Sequence, residues 1–255
     1  MSKQPRTYLI DMDGVLVHGK LALPGAPEFI RRLQKGKHKY LVLTNNSRFT
    51  PIDLQHRLQS VGIDIDTNHL YSSALATAAF VHSQKPGGSA YVLGDAGIYQ
   101  ALADVGYSLT DYHPDYVILG ETDSYPFDKI IRATKFISEG VPFIATNSDP
   151  SGPSEEGLVP ACGAVAAMIE RASGRSPYFV GKPNPLIMRT ALRYLDEHSE
   201  NATMVGDRMD TDIVVGLESG LQTILVLTGV TSVEMIQNFP YRPNRVVDSV
   251  ADIDP

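Results

Sequence analysis

The chain has 255 residues and a formal net charge of −7; 43% of its residues are hydrophobic and 20% charged. This is enough apolar chain to bury the core of one large domain or two modest ones, and the composition is that of an ordinary globular protein. The acidic balance speaks against nucleic acid as a main partner, because no global positive field draws phosphate backbones, and no apolar run approaches the roughly 20 residues that span a bilayer, so no membrane partner is expected.

The chain opens on Met-Ser-Lys-Gln-Pro-Arg, basic but without an apolar stretch, so no signal peptide is expected. Tyr8–Ile10 reads as a strand that ends abruptly in Asp11 and Asp13, with Gly14 behind them. Pro27–Lys35 has helical spacing (Phe29, Ile30, Leu33) and stops at Gly36. Tyr40–Leu43 is the next strand and runs into Thr44-Asn45-Asn46-Ser47. Thr50 suits an N-cap and Pro51 the first turn of a helix with Ile52, Leu54, Leu58 and Val61 inward; Ser73–Ser83 is a further helix.

After Gln84-Lys85-Pro86-Gly87-Gly88-Ser89, which reads as a linker, the alternation continues. Strands are predicted at Ala90–Leu93, Tyr116–Leu119 and Phe143–Ala145, and helices at Gly97–Val105, Phe127–Glu139 and Gly163–Ser173. Cys162, the sole cysteine, excludes a disulfide framework within the chain and fits a reducing, cytoplasmic setting; at a helix start it is read as a packing residue. A second break falls at Gly174-Arg175-Ser176-Pro177. Then come a strand at Tyr178–Val180, a helix at Pro185–Glu197, a strand at Thr203–Val205, a helix at Met209–Ser219 capped by Gly220, and a strand at Thr223–Leu227.

Strands alternating with helices imply an α/β fold with parallel sheets. Residues 1–84 and 178–255 are expected to form one domain, with 85–177 a second α/β domain inserted into it. A single sheet of nine or more strands is the rival reading, disfavoured on size.

Four acids follow strand ends in two places, Asp11 and Asp13 after the first strand and Asp207 and Asp212 after Thr203–Val205. Ligands of open parallel sheets bind outside the carboxyl ends of strands, so these acids can converge. Clustered carboxylates repel one another unless a cation sits among them, and oxygen donors without a His or Cys cluster favour Mg²⁺. The seven histidines are scattered without ligand spacing. Each acid alone also fits a turn or N-cap; two clusters at strand ends make that reading the weaker one. Lys182, in Val-Gly-Lys-Pro, can neutralise a phosphate or the acids, and Thr44 and Asn45 offer a hydroxyl and an amide to phosphate oxygens. No G-x-x-x-x-G-K-[ST], H-E-x-x-H, C-x-x-C or G-x-S-x-G is present.

In order, Asp11-Met-Asp13-Gly-Val, Leu-Thr44-Asn45, Gly-Lys182-Pro and Val-Gly-Asp207-Arg-Met-Asp-Thr-Asp212 resemble the four motifs of the haloacid dehalogenase (HAD) superfamily, each after a predicted strand. The position of the insert resembles the class IIA branch, that of the NagD-like and p-nitrophenylphosphatase-like phosphatases. Thr146-Asn147-Ser148-Asp149 and Pro160-Ala-Cys-Gly163 are similar to segments of that branch's cap.

The resemblance implies a Rossmann-like HAD core with an inserted C2-type α/β cap, and a phosphoric monoester hydrolase that uses Mg²⁺. Asp11 would be the nucleophile that forms an aspartyl-phosphate, and Asp13 the general acid and then base. Thr44 and Lys182 would bind and neutralise the phosphoryl group, with Asn45 helping to position it. Asp207 would bind Mg²⁺ with the Asp11 carboxylate and the Asp13 carbonyl, and Asp212 would hold the metal site directly or through water. Glu121, Asn147 and Asp149 are the candidate cap residues for reading substrate, each also consistent with a plain turn role. The expected substrates are small phosphomonoesters, sugar phosphates or nucleoside monophosphates. A phosphotransferase or mutase on the same site and a non-catalytic metabolite-binding regulator are the alternatives; the ~30 residues between the first two motifs are too few for the helical cap of mutases, and the intact Asp11/Asp13 pair argues against a dead site. The oligomeric state, a homo-oligomer included, is left open.

Overall fold

The computed structural model describes residues 6–154 and 157–255. The segment read for a signal peptide therefore lies, except for Arg6, outside the described residues. In chain order the elements are β1 (Thr7–Asp11), β2 (Val17–His18), β3 (Leu21–Ala22), α1 (Ala26–Lys35), β4 (Lys39–Thr44), α2 (Pro51–Gln59), β5 (Leu70–Ser72), α3 (Ser73–Gln84), β6 (Ser89–Leu93), α4 (Ala96–Asp104), β7 (Ser108–Leu109) and β8 (Tyr116–Leu119). There follow α5 (Phe127–Ser138), β9 (Phe143–Ala145), β10 (Ser151–Ser154), β11 (Gly157–Pro160), α6 (Cys162–Ser173), β12 (Tyr178–Phe179), α7 (Pro185–Leu195), β13 (Ala202–Gly206), α8 (Val214–Glu218), β14 (Gln222–Val226) and β15 (Arg245–Val247). No helix of the described residues is long and apolar enough to cross a membrane.

The chain divides into two compact units. The first holds the chain up to Thr44, Pro51–Tyr71 and everything from Lys182; the second holds Asn45–Thr50 and Ser72–Gly181. The first is built on a six-stranded sheet ordered β15-β14-β13-β1-β4-β5. β1 lies between β13 and β4 and pairs with both in parallel, as expected of strands whose residues are buried throughout. Helix α1 buries Phe29, Ile30 and Leu33, with Glu28 in its first turn and Arg32 and Lys35 in its last, complementing the helix dipole. Helix α7 is entered through Asn184, whose side chain accepts the Leu186 N–H at 2.9 Å, with Pro185 at the position that needs no donor.

The second unit carries a five-stranded sheet ordered β12-β9-β8-β6-β7, again parallel. Val117, Leu119, Phe143 and Ala145 of its strands pack with Ile130, Ala133 and Ile137 of α5 and Cys162, Val165, Ala166 and Ile169 of α6. Cys162 is a free, fully buried thiol in this core, and burial pushes its pKa up to about 12. β10 and β11, which lie between β9 and α6 in the chain, pair antiparallel with each other.

Four expectations need correction. Tyr178–Phe179 belongs to the second sheet, where it pairs with Ile144–Ala145 of β9, and not to the first unit. Helix α3 also belongs to the second unit, so the chain enters that unit at Ser72 rather than after the Gly-rich linker. Ile52 is 58% exposed; only Leu54 and Leu58 of α2 are buried, and Ile63 and Ile65 beyond it complete the apolar face. The helix expected over Met209–Ser219 starts as a π-helical turn, Met209–Ile213, before α8, which widens the backbone where Asp212 must turn inward.

Candidate active site

β1, β4 and β13 end together. Asp11 is in register with Leu43, and Ile10 with Val205, so Asp11, Thr44 and Asp207 leave one edge of the sheet within two positions of each other. The buried run Tyr8–Ile10 anchors this edge, and the chain then turns tightly, with Leu16 N–H on the Met12 carbonyl at 2.9 Å and Gly14 N–H on the Val17 carbonyl at 2.8 Å. Gly14 is required twice over. Its φ of +83° is left-handed, and a Cβ there would lie 2.5 Å from Asp207 Oδ2.

Lys182 is buried and its Nζ donates to Asp11 Oδ1 at 2.5 Å and to Asp212 Oδ1 at 2.7 Å. Asp212 Oδ2 accepts the Arg208 N–H at 3.2 Å. Asp207 Oδ2 accepts the Val230 N–H at 2.7 Å, whereas its Oδ1 is buried without a hydrogen-bond partner among the described residues. The loop after β14 makes room for this carboxylate, since a Cβ on Gly229 would fall 2.0 Å from Asp207 Oδ2. Thr231 and Gly229–Val230, absent from the sequence-derived site, are thus what hold Asp207 in place, with the Thr231 N–H on the Asp207 carbonyl at 3.2 Å. The Gly after a Leu-Thr strand exit was the only signal in the sequence for them.

Asp11, Asp207 and Asp212 each offer an oxygen within 4.8 Å of the others, and all three are buried. Burial, with the charges of Asp212 and Asp207, pushes Asp11 well above the usual carboxylate range against the pull of Lys182. Burial and Asp212 raise Asp207 to about 6. Burial pulls Lys182 down, but Asp11 and Asp212 outweigh it and hold the ammonium above its ordinary value. A single ammonium against three crowded acids leaves the group short of positive charge, and the orphaned Asp207 Oδ1 shows where a further cation fits. An all-oxygen donor set suits a hard divalent ion such as Mg²⁺.

Asp13 stands apart from this trio. As a residue Asp13 is exposed, and its carboxylate is not one of the three that crowd together. The protein mass around it still raises its pKa, opposed by Arg57, Lys182 and His18, so it is biased toward holding a proton. Arg57 and His18 were not singled out by sequence. Thr44 is buried at the end of β4.

The remaining sequence candidates form a separate network inside the second unit. Asn45 Nδ2 donates to Asp149 Oδ2 at 2.9 Å, and Asn147 Nδ2 donates to the Asn45 carbonyl at 2.9 Å and to Glu121 Oε1 at 3.2 Å. Asn147 has no exposed surface.

A model of haloacid dehalogenase-like hydrolases matches residues 8–108, and a HAD-hydrolase-like model matches residues 179–253. The chain is 48% identical over 247 residues (97% of this chain, 90% of the relative) to dihydroxyacetone phosphatase of Corynebacterium glutamicum (strain R). It is 44% identical over 249 residues, 98% of each chain, to ribonucleotide monophosphatase NagD of Escherichia coli (strain K12), and 40% identical over 237 residues, 92% of each, to acid sugar phosphatase of Staphylococcus aureus (strain USA300). The solved structure of NagD from E. coli K-12 matches with a TM-score of 0.94 at 43% identity, covering 99% of each chain. The strand-end acids, the lysine that bridges them and these full-length likenesses agree: the chain belongs to the haloacid dehalogenase-like hydrolases, in their NagD-like class IIA branch, and is a phosphoric monoester hydrolase of small phosphates.

Proposed function

We propose that the protein is a Mg²⁺-dependent phosphatase of sugar phosphates or nucleoside monophosphates that works through an aspartyl-phosphate on Asp11. The observation that carries this is the buried trio Asp11, Asp207 and Asp212, bridged by Lys182 yet left with an orphaned Asp207 oxygen. The substrate range rests on the names of the relatives, which span a triose phosphate, ribonucleotides and sugar phosphates. The inserted second unit is read as a C2-type cap that selects among them, and the cytoplasm is the setting that suits the free thiol of Cys162.

Phosphate-monoester hydrolysis is among the slowest uncatalysed reactions, so the site must supply an in-line nucleophile, charge neutralisation and a proton for the leaving oxygen. An Asp11 carboxylate oxygen bonds to phosphorus as the bond to the ester oxygen breaks, and Asp13 delivers its proton to that oxygen. Water then attacks phosphorus, Asp13 takes the water's proton, and the bond to Asp11 breaks to release phosphate. Asp13's solvent access and raised pKa suit this exchange. Lys182 and the Thr44 hydroxyl hold the phosphoryl oxygens. Asp11, Asp207 and Asp212, with the Asp13 carbonyl, would hold Mg²⁺, which supplies further neutralisation of developing negative charge.

The test is hydrolysis of p-nitrophenyl phosphate with Mg²⁺ and after EDTA. Activity is expected with Mg²⁺ and lost with EDTA, then restored by added Mg²⁺. Full activity in EDTA would overturn the metal assignment, and hydrolysis by Asp11→Asn at the wild-type rate would overturn the nucleophile.

A further inference from the structure

Two residues of the reacting set sit at chain crossings. Thr44 is followed by Asn45, where the second unit begins, and Lys182 is preceded by Gly181, where that unit ends. Each is therefore peptide-bonded to a residue of the second unit.

Those two residues are gripped by a single polar network. Asn147 is completely buried, and its amide donates to the Asn45 carbonyl at 2.9 Å and to Glu121 Oε1 at 3.2 Å. Ser73 Oγ donates to the same carbonyl at 2.5 Å. Glu121 Oε2 accepts the Ser47 N–H at 3.0 Å, Ser47 Oγ accepts the Glu121 N–H at 2.8 Å, and the Ser47 and Thr146 hydroxyls are 2.9 Å apart. On the other side, the Gly181 N–H donates to the Thr146 carbonyl at 2.8 Å. A Cβ at Gly181 would lie 2.5 Å from that carbonyl and 2.6 Å from Asn45 Oδ1, so the two crossing points touch.

We infer that Asn147, with Glu121, is a positioning residue for the phosphatase reaction: it locks the Asn45 and Gly181 backbones and thereby the peptides that carry Thr44 and Lys182. This rests on the proposed phosphatase reading for its kinetic part only. It replaces the expectation that Asn147 reads substrate, because both amide hydrogens are committed inside the protein and no surface is left to meet a ligand. A buried network of this kind is costly to break, since water cannot replace the lost partner. A shift of about 1 Å in a reacting group costs on the order of 10²-fold in rate.

The experiment compares wild type, Asn147→Ala and the milder Glu121→Gln, which keeps one acceptor oxygen. kcat and KM are measured with two leaving groups, p-nitrophenyl phosphate and glycerol phosphate, and amide hydrogen exchange is followed by mass spectrometry. For Asn147→Ala we expect kcat to fall ~30- to 100-fold on both substrates alike, with KM within about 3-fold. Glu121→Gln should show the same pattern more weakly, and exchange should rise in peptides spanning residues 41–47 and 179–184 while the rest of the protein stays protected. A rise in KM that differs between the two leaving groups would return Asn147 to substrate reading. Wild-type kcat in both variants, or exchange unchanged in both peptides, would overturn the inference. Should the wild type hydrolyse neither ester, the phosphatase reading fails by itself, and the exchange pattern still decides the positioning claim.

Discussion

Replacing Lys182 by methionine removes the ammonium while retaining an unbranched apolar stem, so the result reports on charge rather than on a cavity. Lys182 makes charge-assisted bonds of 2.5 Å to Asp11 and 2.7 Å to Asp212, with only 3% of its surface exposed. Its loss leaves two buried carboxylate oxygens without their donor. Breaking a buried pair in this way costs about 3–5 kcal/mol, against a total stability of roughly 5–15 kcal/mol for a protein domain. The assay is urea unfolding in EDTA of Lys182→Met, Asp212→Asn and the double variant. Because the two residues share one interaction, the double variant should be destabilised by about 1–3 kcal/mol less than the sum of the singles. In the proposed mechanism the same lysine would neutralise charge on the phosphoryl group, so kcat of Lys182→Met should fall on the order of 10²- to 10³-fold with Mg²⁺ present. Additive losses in the cycle, or a Lys182→Met protein as stable as wild type, would refute the claim that Lys182 is what makes this acidic cluster tolerable.

Asp13→Asn should separate the leaving groups. p-Nitrophenolate departs without a proton while an alkoxide does not, so formation of the phospho-enzyme should slow by ~10²- to 10⁴-fold with glycerol phosphate and far less with p-nitrophenyl phosphate in single-turnover measurements. An equal loss on both would remove Asp13 from the role of acid. Glu197 offers a pH-dependent test away from the site. The His198 N–H at 3.0 Å and Asn201 Nδ2 at 3.2 Å, with Thr7 and Lys39, hold its carboxyl down to about 2. A depressed carboxyl stabilises the fold above its unfolded pKa of about 4.3, and this contribution is lost as pH falls toward 2. Glu197→Gln should therefore be less stable than wild type by about 1 kcal/mol at pH 7, a figure reduced for solvent screening, with the gap closing only as pH falls to about 2; urea midpoints at pH 7 and at about pH 2 decide it.

Much of the candidate site was legible because it obeys local rules. Asp11 and Asp207 follow strands whose residues are buried, and a carboxylate in that position contradicts the pattern around it. Lys182 after a short apolar run did the same. The strands Tyr116–Leu119 and Phe143–Ala145 were read with their observed limits, since each is a short apolar run, the second entered through Pro142 and left at Thr146. Short or weakly patterned pieces escaped: β5, β15 and the two-residue strands β2, β3 and β7 have too few side chains to show a period, and they exist through the neighbours they pair with. Ile52 was misplaced because one exposed apolar residue on a helix is indistinguishable from a core residue until the neighbouring surface is known.

By itself, then, the chain's pattern determined an α/β protein, the acids and the lysine at its strand ends, and the order in which they occur. Only the tertiary structure decided to which sheet Tyr178–Phe179 belongs, because a strand's partner, here β9 more than thirty residues earlier, is not a property of the strand. It also decided that Asn147 faces inward, since an amide after a strand looks the same whether its hydrogens meet a ligand or the Asn45 carbonyl. And it showed why Asp207 needs Gly14 and Gly229: the space around a carboxylate is set by segments more than two hundred residues apart in the chain, which meet only once the sheet has formed.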